Sequence, residues 1–80
     1  MIAFVLLTIR RDADKDILDD IKNKILNFPY VIEVNPLFGE YDLIVKVEND
    51  DVNNIAKFVI EKIRKIDGVN DTKTLVGPIQ

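Results

Sequence analysis

Residues 30–48 read YVIEVNPLFGEYDLIVKVE and contain the strongest structural signal in the chain. Two strand-like runs, 30–38 and 41–48, are separated only by Gly39 and Glu40. Glycine adopts a positive φ at little cost, and a two-residue loop with glycine first is typical of a type II′ hairpin. Pro36 cannot donate a hydrogen bond in a sheet, which places the first of these strands at an edge.

The rest of the pattern predicts one small α+β domain spanning residues 1–80. The apolar run 2–9 is a strand, and apolar residues at helical spacing from about Asp14 to Pro29 predict an amphipathic helix. A second helix follows, with its stripe at Val52, Ile55, Ala56, Val59, Ile63 and Ile66, and residues 69–76 form a last strand. The order βαββαβ predicts a ferredoxin-like plait, a four-stranded antiparallel sheet with two helices on one face.

One face of this sheet has no helix to cover it. Phe4, Leu6, Ile44 and Val76 are expected on that face, where exposed apolar surface costs ~25 cal/mol per Å². A chain of 80 residues buries only a small core. The sequence therefore favours a dimer that packs sheet against sheet, although scattered apolar side chains on a surface are also normal.

Composition excludes several kinds of site. The chain has no cysteine and no histidine, which removes disulfides, thiolate metal sites and the commonest acid–base catalyst. Its net charge of −3, with no basic stripe, argues against direct DNA binding. No run approaches the ~20 apolar residues of a spanning helix. We expect a cytoplasmic protein with no cofactor, no metal and no membrane contact.

A few side chains at the predicted tip and in the last strand are candidates for ligand binding. Asp42 could accept hydrogen bonds from a bound ammonium group, or from backbone amides of the turn. Thr72 and Thr74 lie on one face of the last strand and could offer hydroxyls, but threonine is also a good strand former. Phe38 and Tyr41 are expected to pair across the hairpin. On spacing alone the structural reading of Asp42 is favoured, and none of these side chains decides the function by itself.

Four segments together resemble the effector domain of the Lrp/AsnC (leucine-responsive, feast/famine) transcriptional regulators. Residues 38–47 resemble the family's Gly-x-Tyr-Asp-apolar segment. Residues 28–31 resemble its Pro-x-Val before the second strand, and 66–69 its Pro-Gly-Val turn, with Asp67 in place of proline. Residues 72–74 resemble its Thr-x-Thr. The resemblance covers nearly the whole chain.

The resemblance implies a RAM domain that dimerises through its sheets as an α+β barrel and assembles into rings, commonly octamers. An amino acid then binds between subunits near the hairpin tip. By similarity, the ligand-binding residues are Gly39, Glu40, Tyr41, Asp42, Thr72 and Thr74. Asp42 would bind the α-ammonium group, so its replacement by alanine is expected to abolish the response and to cost at most ~1 kcal/mol of stability.

The family's regulators carry a helix-turn-helix domain before this module, whereas here the first strand starts at Ile2. The chain therefore resembles a stand-alone module, which would act alone or with full-length Lrp/AsnC regulators and would not bind DNA directly. Two alternatives stay open. One is a purely structural assembly module without a ligand response, and the other is a dimeric α+β-barrel enzyme of the monooxygenase type.

Overall fold

The computed structural model describes residues 1–10 and 16–77. The four strands form one antiparallel sheet in the order β2-β3-β1-β4. This order, with two helices on one face, confirms the ferredoxin-like plait. The elements are β1 (Ile2–Ile9), α1 (Ile17–Leu26), β2 (Val31–Pro36), β3 (Leu43–Glu48), α2 (Val52–Phe58) and β4 (Val69–Gly77).

The core lies between the sheet and the helices. Strand side chains alternate between the two faces of a sheet, so every second residue of the central strands faces the helices. Ala3, Val5 and Leu7 of β1 are fully buried there. The buried residues of the other elements pack against them: Ile21, Ile25, Val34, Leu43, Val45, Val47, Ile55, Phe58, Val59, Ile63 and Ile66.

The first helix is shorter than the sequence pattern suggests. Its expected start at Asp14 lies outside the described residues, and the helix observed begins at Ile17. It ends at Leu26, before Pro29. The side-chain amide of Asn27 folds back there and donates to the backbone carbonyl of Asn23 at 3.0 Å. Asparagine competes with the helix backbone in this way and favours helix ends.

The second helix changes its winding halfway. Asp51 caps α2, accepting a hydrogen bond from the Asn53 N–H at 2.8 Å. After Phe58 the chain continues as a π-helical turn from Val59 to Ile63, in which the Arg64 N–H donates to the Val59 carbonyl at 2.9 Å. The predicted apolar stripe is correct at four positions and wrong at Val52 and Ala56, which are exposed.

Gly68 closes the turn after this helix, as the sequence predicts. Its φ is +101°, a conformation that favours glycine. A Cβ at this position would collide with the Ile17 side chain. Gly68 therefore lets the turn approach α1 closely.

The hairpin between β2 and β3 differs from the expected two-residue type II′ turn. Pro36 lies opposite Leu43, and the Leu37 N–H donates to the Asp42 carbonyl at 2.9 Å, which leaves four residues, 38–41, in the loop. Gly39 does have a positive φ, +127°. On the other side of β3, the Asp42 N–H donates to the Leu7 carbonyl of β1 at 2.8 Å.

The strand register corrects the composition of the open face. Val76 lies opposite Ala3, whose side chain is fully buried, so Val76 faces the helices. Its neighbour Leu75 lies opposite Phe4 and takes the expected place of Val76. The open face therefore carries the apolar side chains of Phe4, Leu6, Ile44 and Leu75.

Candidate functional site

The hairpin tip forms one wall of a shallow depression at the end of the sheet. Glu40 and Tyr41 of the loop meet Thr72 of β4 there, and Thr8, Asp71 and Lys73 complete the lining. The Asp71 N–H donates to the Thr8 hydroxyl oxygen at 3.0 Å, which fixes the end of β4 beside β1. The structure thus brings together three of the predicted site residues, Glu40, Tyr41 and Thr72.

Asp42 is bound to the fold through its side chain. Its Oδ2 accepts the Ile9 N–H at 2.7 Å, and its side chain is half-buried. Ile9 lies two residues after Leu7 in β1, so its N–H points to the same side of the strand as the Leu7 carbonyl that accepts the Asp42 N–H. Oδ1 of Asp42 accepts no hydrogen bond from the described residues.

A second concave surface runs between α2 and the edge strand β4. Thr72, Thr74 and Val76 form its strand wall, because they lie opposite Leu7, Val5 and Ala3 and so face the helix layer. The groove has a volume of about 250 Å³. Its helix wall consists of Val52, Ile55, Ala56, Val59, Ile60 and Arg64.

The predicted site residues therefore divide between two surfaces. Thr74 lines only the groove, whereas Thr72 lines both surfaces and connects them. Gly39 and Asp42 line neither, although both are in or beside the hairpin loop. Asp42 fixes the loop to β1, and Gly39 is exposed at the tip.

The sequence reasoning missed the helix wall of the groove. Val52 and Ala56 were assigned to the buried stripe, and Ile60 and Arg64 were not singled out. The available signal was a second series at every fourth position, 52, 56, 60 and 64, directly beside the buried series. Residues four apart lie on the same side of a helix, so this series marks a face of its own.

The chemistry available in the groove is that of binding. It combines an apolar floor with two hydroxyls and one guanidinium, groups that orient a small ligand in a pocket.

Among residues 1–10 and 16–77, no group of acidic side chains lies close enough together to hold a metal ion. None of the helices in the described part of the chain is long and apolar enough to cross a membrane.

The chain is thus a ferredoxin-like plait with two concave surfaces, the groove and the tip depression. Residues 2–76 match the family model of the Lrp/AsnC ligand binding domain. The chain belongs to this family.

Similar proteins support this assignment. An uncharacterized HTH-type transcriptional regulator of Pyrococcus furiosus, PF0250, is 40% identical over 76 residues, which are 94% of this chain and 49% of the relative. The chain thus spans about half the length of the regulators it matches. The crystal structure of hypothetical protein PHS023 from Pyrococcus horikoshii is 36% identical with a TM-score of 0.83, and the match covers 100% of this chain and 93% of that one.

Two further similarities bear on function. The crystal structure of the transcriptional regulator NMB0573 from Neisseria meningitidis, in complex with L-Met, is 26% identical with a TM-score of 0.81, over 99% of this chain and 51% of that one. A homocitrate synthase of Sulfurisphaera tokodaii is 46% identical over 46 residues, which are 58% of this chain and 10% of the enzyme.

Proposed function

We propose that the chain is an amino-acid-sensing oligomeric module of the cytoplasm. It binds a small amino-acid effector between subunits and modulates transcription by assembling with itself or with full-length Lrp/AsnC regulators. The match to the family's ligand-binding domain over residues 2–76 carries this proposal. The L-Met complex of the NMB0573 regulator supports the class of effector.

The geometry supports binding between subunits. The groove and the tip depression are both open to solvent, and neither would enclose an amino acid within one chain. A ligand site normally buries most of its ligand, so a second subunit would have to complete it. Thr72, which connects the two surfaces, would then lie close to the effector together with Thr74.

The hairpin loop supplies the polar half of the proposed site. Oδ1 of Asp42 would accept a hydrogen bond from the α-ammonium group while Oδ2 keeps its bond to Ile9. A charge-assisted hydrogen bond of this kind is among the stronger ones in proteins. Gly39, Glu40 and Tyr41 would form the surrounding wall, with Gly39 allowing the closest approach of backbone to ligand.

Two exposed apolar surfaces support the proposed assembly. The open sheet face would pack against its counterpart in a second copy, giving a homodimer of the α+β-barrel type. The Phe38 side chain at the hairpin tip is fully exposed and makes no cross-strand pair with Tyr41. An aromatic side chain in that position suits a contact between dimers in a ring, for which we propose an octamer.

A thermal-shift screen against the twenty amino acids, with light scattering in parallel, tests the proposed function. Ligand at ~100 times Kd adds about 2.7 kcal/mol to the free energy of unfolding. For a domain of this size, that raises Tm by roughly 10–20 °C. We expect such a shift with a few amino acids, accompanied by a change in particle size.

The other outcomes of the screen separate the alternatives. Intact rings with no shift for any amino acid would contradict sensing and favour the purely structural assembly module. Turnover of a substrate would favour the monooxygenase-like enzyme. The relatives named as transcriptional regulators support a sensing role over an enzymatic one.

Replacing Asp42 tests its two proposed roles separately. Asp42→Ala removes the acceptor of the Ile9 N–H and is expected to lower the free energy of unfolding by about 1–3 kcal/mol. Asp42→Asn keeps an amide oxygen for Ile9 and loses the charge. We expect nearly normal unfolding in urea for the asparagine variant, together with loss of the thermal shift by the effector.

The Asp42→Asn variant decides whether the Asp42 carboxylate binds the effector. A full thermal shift in Asp42→Asn would show that the carboxylate does not bind the effector, and Asp42 would then be a structural residue only. Glu40→Gln makes the same chemical change at the tip, away from the Ile9 bond, and serves as the matched control for stability.

A second candidate function follows from the similarity to the homocitrate synthase. That match places a similar segment within a biosynthetic enzyme. We infer that the same module regulates an enzyme of this kind in place of a transcription factor. The test is to mix the purified chain with full-length Lrp/AsnC relatives and to measure co-assembly. Mixed particles would favour the first candidate function, the modulation of transcription.

A further inference from the structure

The helix wall of the groove is unusually straight. Val52, Ala56, Ile60 and Arg64 follow one another at every fourth position and all line the groove. An α-helix has 3.6 residues per turn, so each step of four residues rotates by about 40°. Over three steps an α-helix would carry the last residue by about 120°, away from β4.

The π-helical turn removes most of this rotation. Between Val59 and Ile63 the turn is wider, as the bond from the Arg64 N–H to the Val59 carbonyl shows. Ile63 therefore stays fully buried beneath the sheet, while Arg64 stays in line with Ile60 along the groove. Such turns occur frequently at functional sites. Here the turn positions a cation beside an apolar groove.

Arg64 has no partner among the described residues. Its guanidinium forms no hydrogen bond or ion pair there, in contrast to two other cations of the chain. Lys57 lies 3.9 Å from Glu61, and Arg10 pairs with Asp67 at 3.1 Å. The Thr72 and Thr74 side chains form the opposite wall of the groove. Guanidinium and hydroxyl groups together bind a carboxylate well.

We propose that Arg64 determines the specificity of this groove by binding the carboxylate of a small aliphatic acid. The apolar part of the ligand lies on the exposed side chains of Ala56, Ile60 and Val76, and the carboxylate lies between Arg64 and the threonine hydroxyls. An apolar amino acid is one ligand of this class, and to that extent the inference rests on the proposed function. Aliphatic acids without an amino group belong to the same class.

Isothermal titration with three matched ligands tests this assignment. L-Leucine carries both charged groups, L-leucinamide lacks the carboxylate, and 4-methylpentanoate lacks the ammonium group. We expect the wild-type chain to bind leucine about 10- to 100-fold more tightly than leucinamide. Arg64→Gln should remove this preference, and Arg64→Lys should restore it in part, because lysine keeps the charge without the planar fork.

Lys65→Gln is the matched control, since Lys65 is exposed, carries the same charge and lies outside the groove. It should keep the full preference. An unchanged preference in Arg64→Gln would overturn the inference while leaving amino-acid sensing intact. Binding of 4-methylpentanoate through Arg64 without binding of leucine would overturn the proposed effector and support the groove assignment.

Two remaining results would also overturn the inference. One is that no carboxylate binds to the wild-type chain. The other is that Arg64→Gln changes the particle size without any ligand, because Arg64 would then bind a carboxylate of another copy. Light scattering of Arg64→Gln and Lys65→Gln at matched concentration, without ligand, separates these results.

Discussion

Leu75→Glu is expected to dissociate the proposed sheet-to-sheet dimer. Leu75 lies opposite Phe4 on the open face and is 49% exposed in the single chain, so the folded monomer should tolerate the change. In a symmetric dimer every substitution occurs twice. Each unpaired carboxylate buried in the interface costs about 3 kcal/mol or more. Two of them should raise the dimer Kd by on the order of 10⁴-fold.

Sedimentation over a range of protein concentrations measures this change. Val76→Glu is the matched control, because Val76 is the next residue of the same strand, is 41% exposed and faces the helices. It should leave the dimer intact. A Leu75→Glu variant that dimerises like the wild type would contradict packing through the open face.

Leu43→Ala is expected to produce the largest loss of stability among single substitutions near the site. Leu43 is fully buried and immediately follows Asp42, so it fixes the base of the hairpin in the core. Replacing a buried leucine by alanine costs about 2–5 kcal/mol, which includes the cavity left behind. A single core in a chain of this length supplies only ~3–5 kcal/mol, so the variant should be largely unfolded as a monomer.

Urea unfolding followed by circular dichroism measures this effect, at one fixed protein concentration because association adds to apparent stability. Leu26→Ala is the control, since Leu26 is exposed on α1 and alanine favours helices. Its free energy of unfolding should change by less than about 1 kcal/mol. Equal losses in the two variants would contradict the packing described here.

The order of elements could be predicted from the sequence because each element has a local period. The run from Ile2 to Ile9 is apolar on both faces, and the two helices repeat at three and four residues. A local period does not show which residues of one strand share a sheet face with those of another strand. Val76 and Leu75 exchange faces if the register moves by one residue, and no tight turn fixes the register of β4.

The helix wall of the groove was hidden by a different effect. Val52 and Ala56 fit the buried stripe of an ideal helix, and the sequence has no signal for the π-helical turn that follows. Without that turn Arg64 would not lie beside Thr72 and Thr74. The relation between these residues exists only in the folded chain, where Ile63 and Ile66 are buried in the core beside the wider turn.

The tip residues show the limit of motif reasoning about a site. Glu40, Tyr41 and Thr72 line the same depression, and their binding of a ligand stays a prediction. Asp42 carries a structural bond to Ile9 that its position in the motif does not reveal. A carboxylate has two oxygens, so the structural and ligand-binding readings of Asp42 are compatible. Only separate measurements of stability and ligand response distinguish them.

The pairing of β1 with β4 has a consequence for how the chain acquires its fold. Ile2 lies opposite Gly77, so the central strand pairs with a segment almost the whole length of the sequence away. Pairings of this kind close large loops and slow the search for the native state. During synthesis, β1 must wait for β4 to leave the ribosome, and until then one long apolar strand has an unpaired edge that invites aggregation.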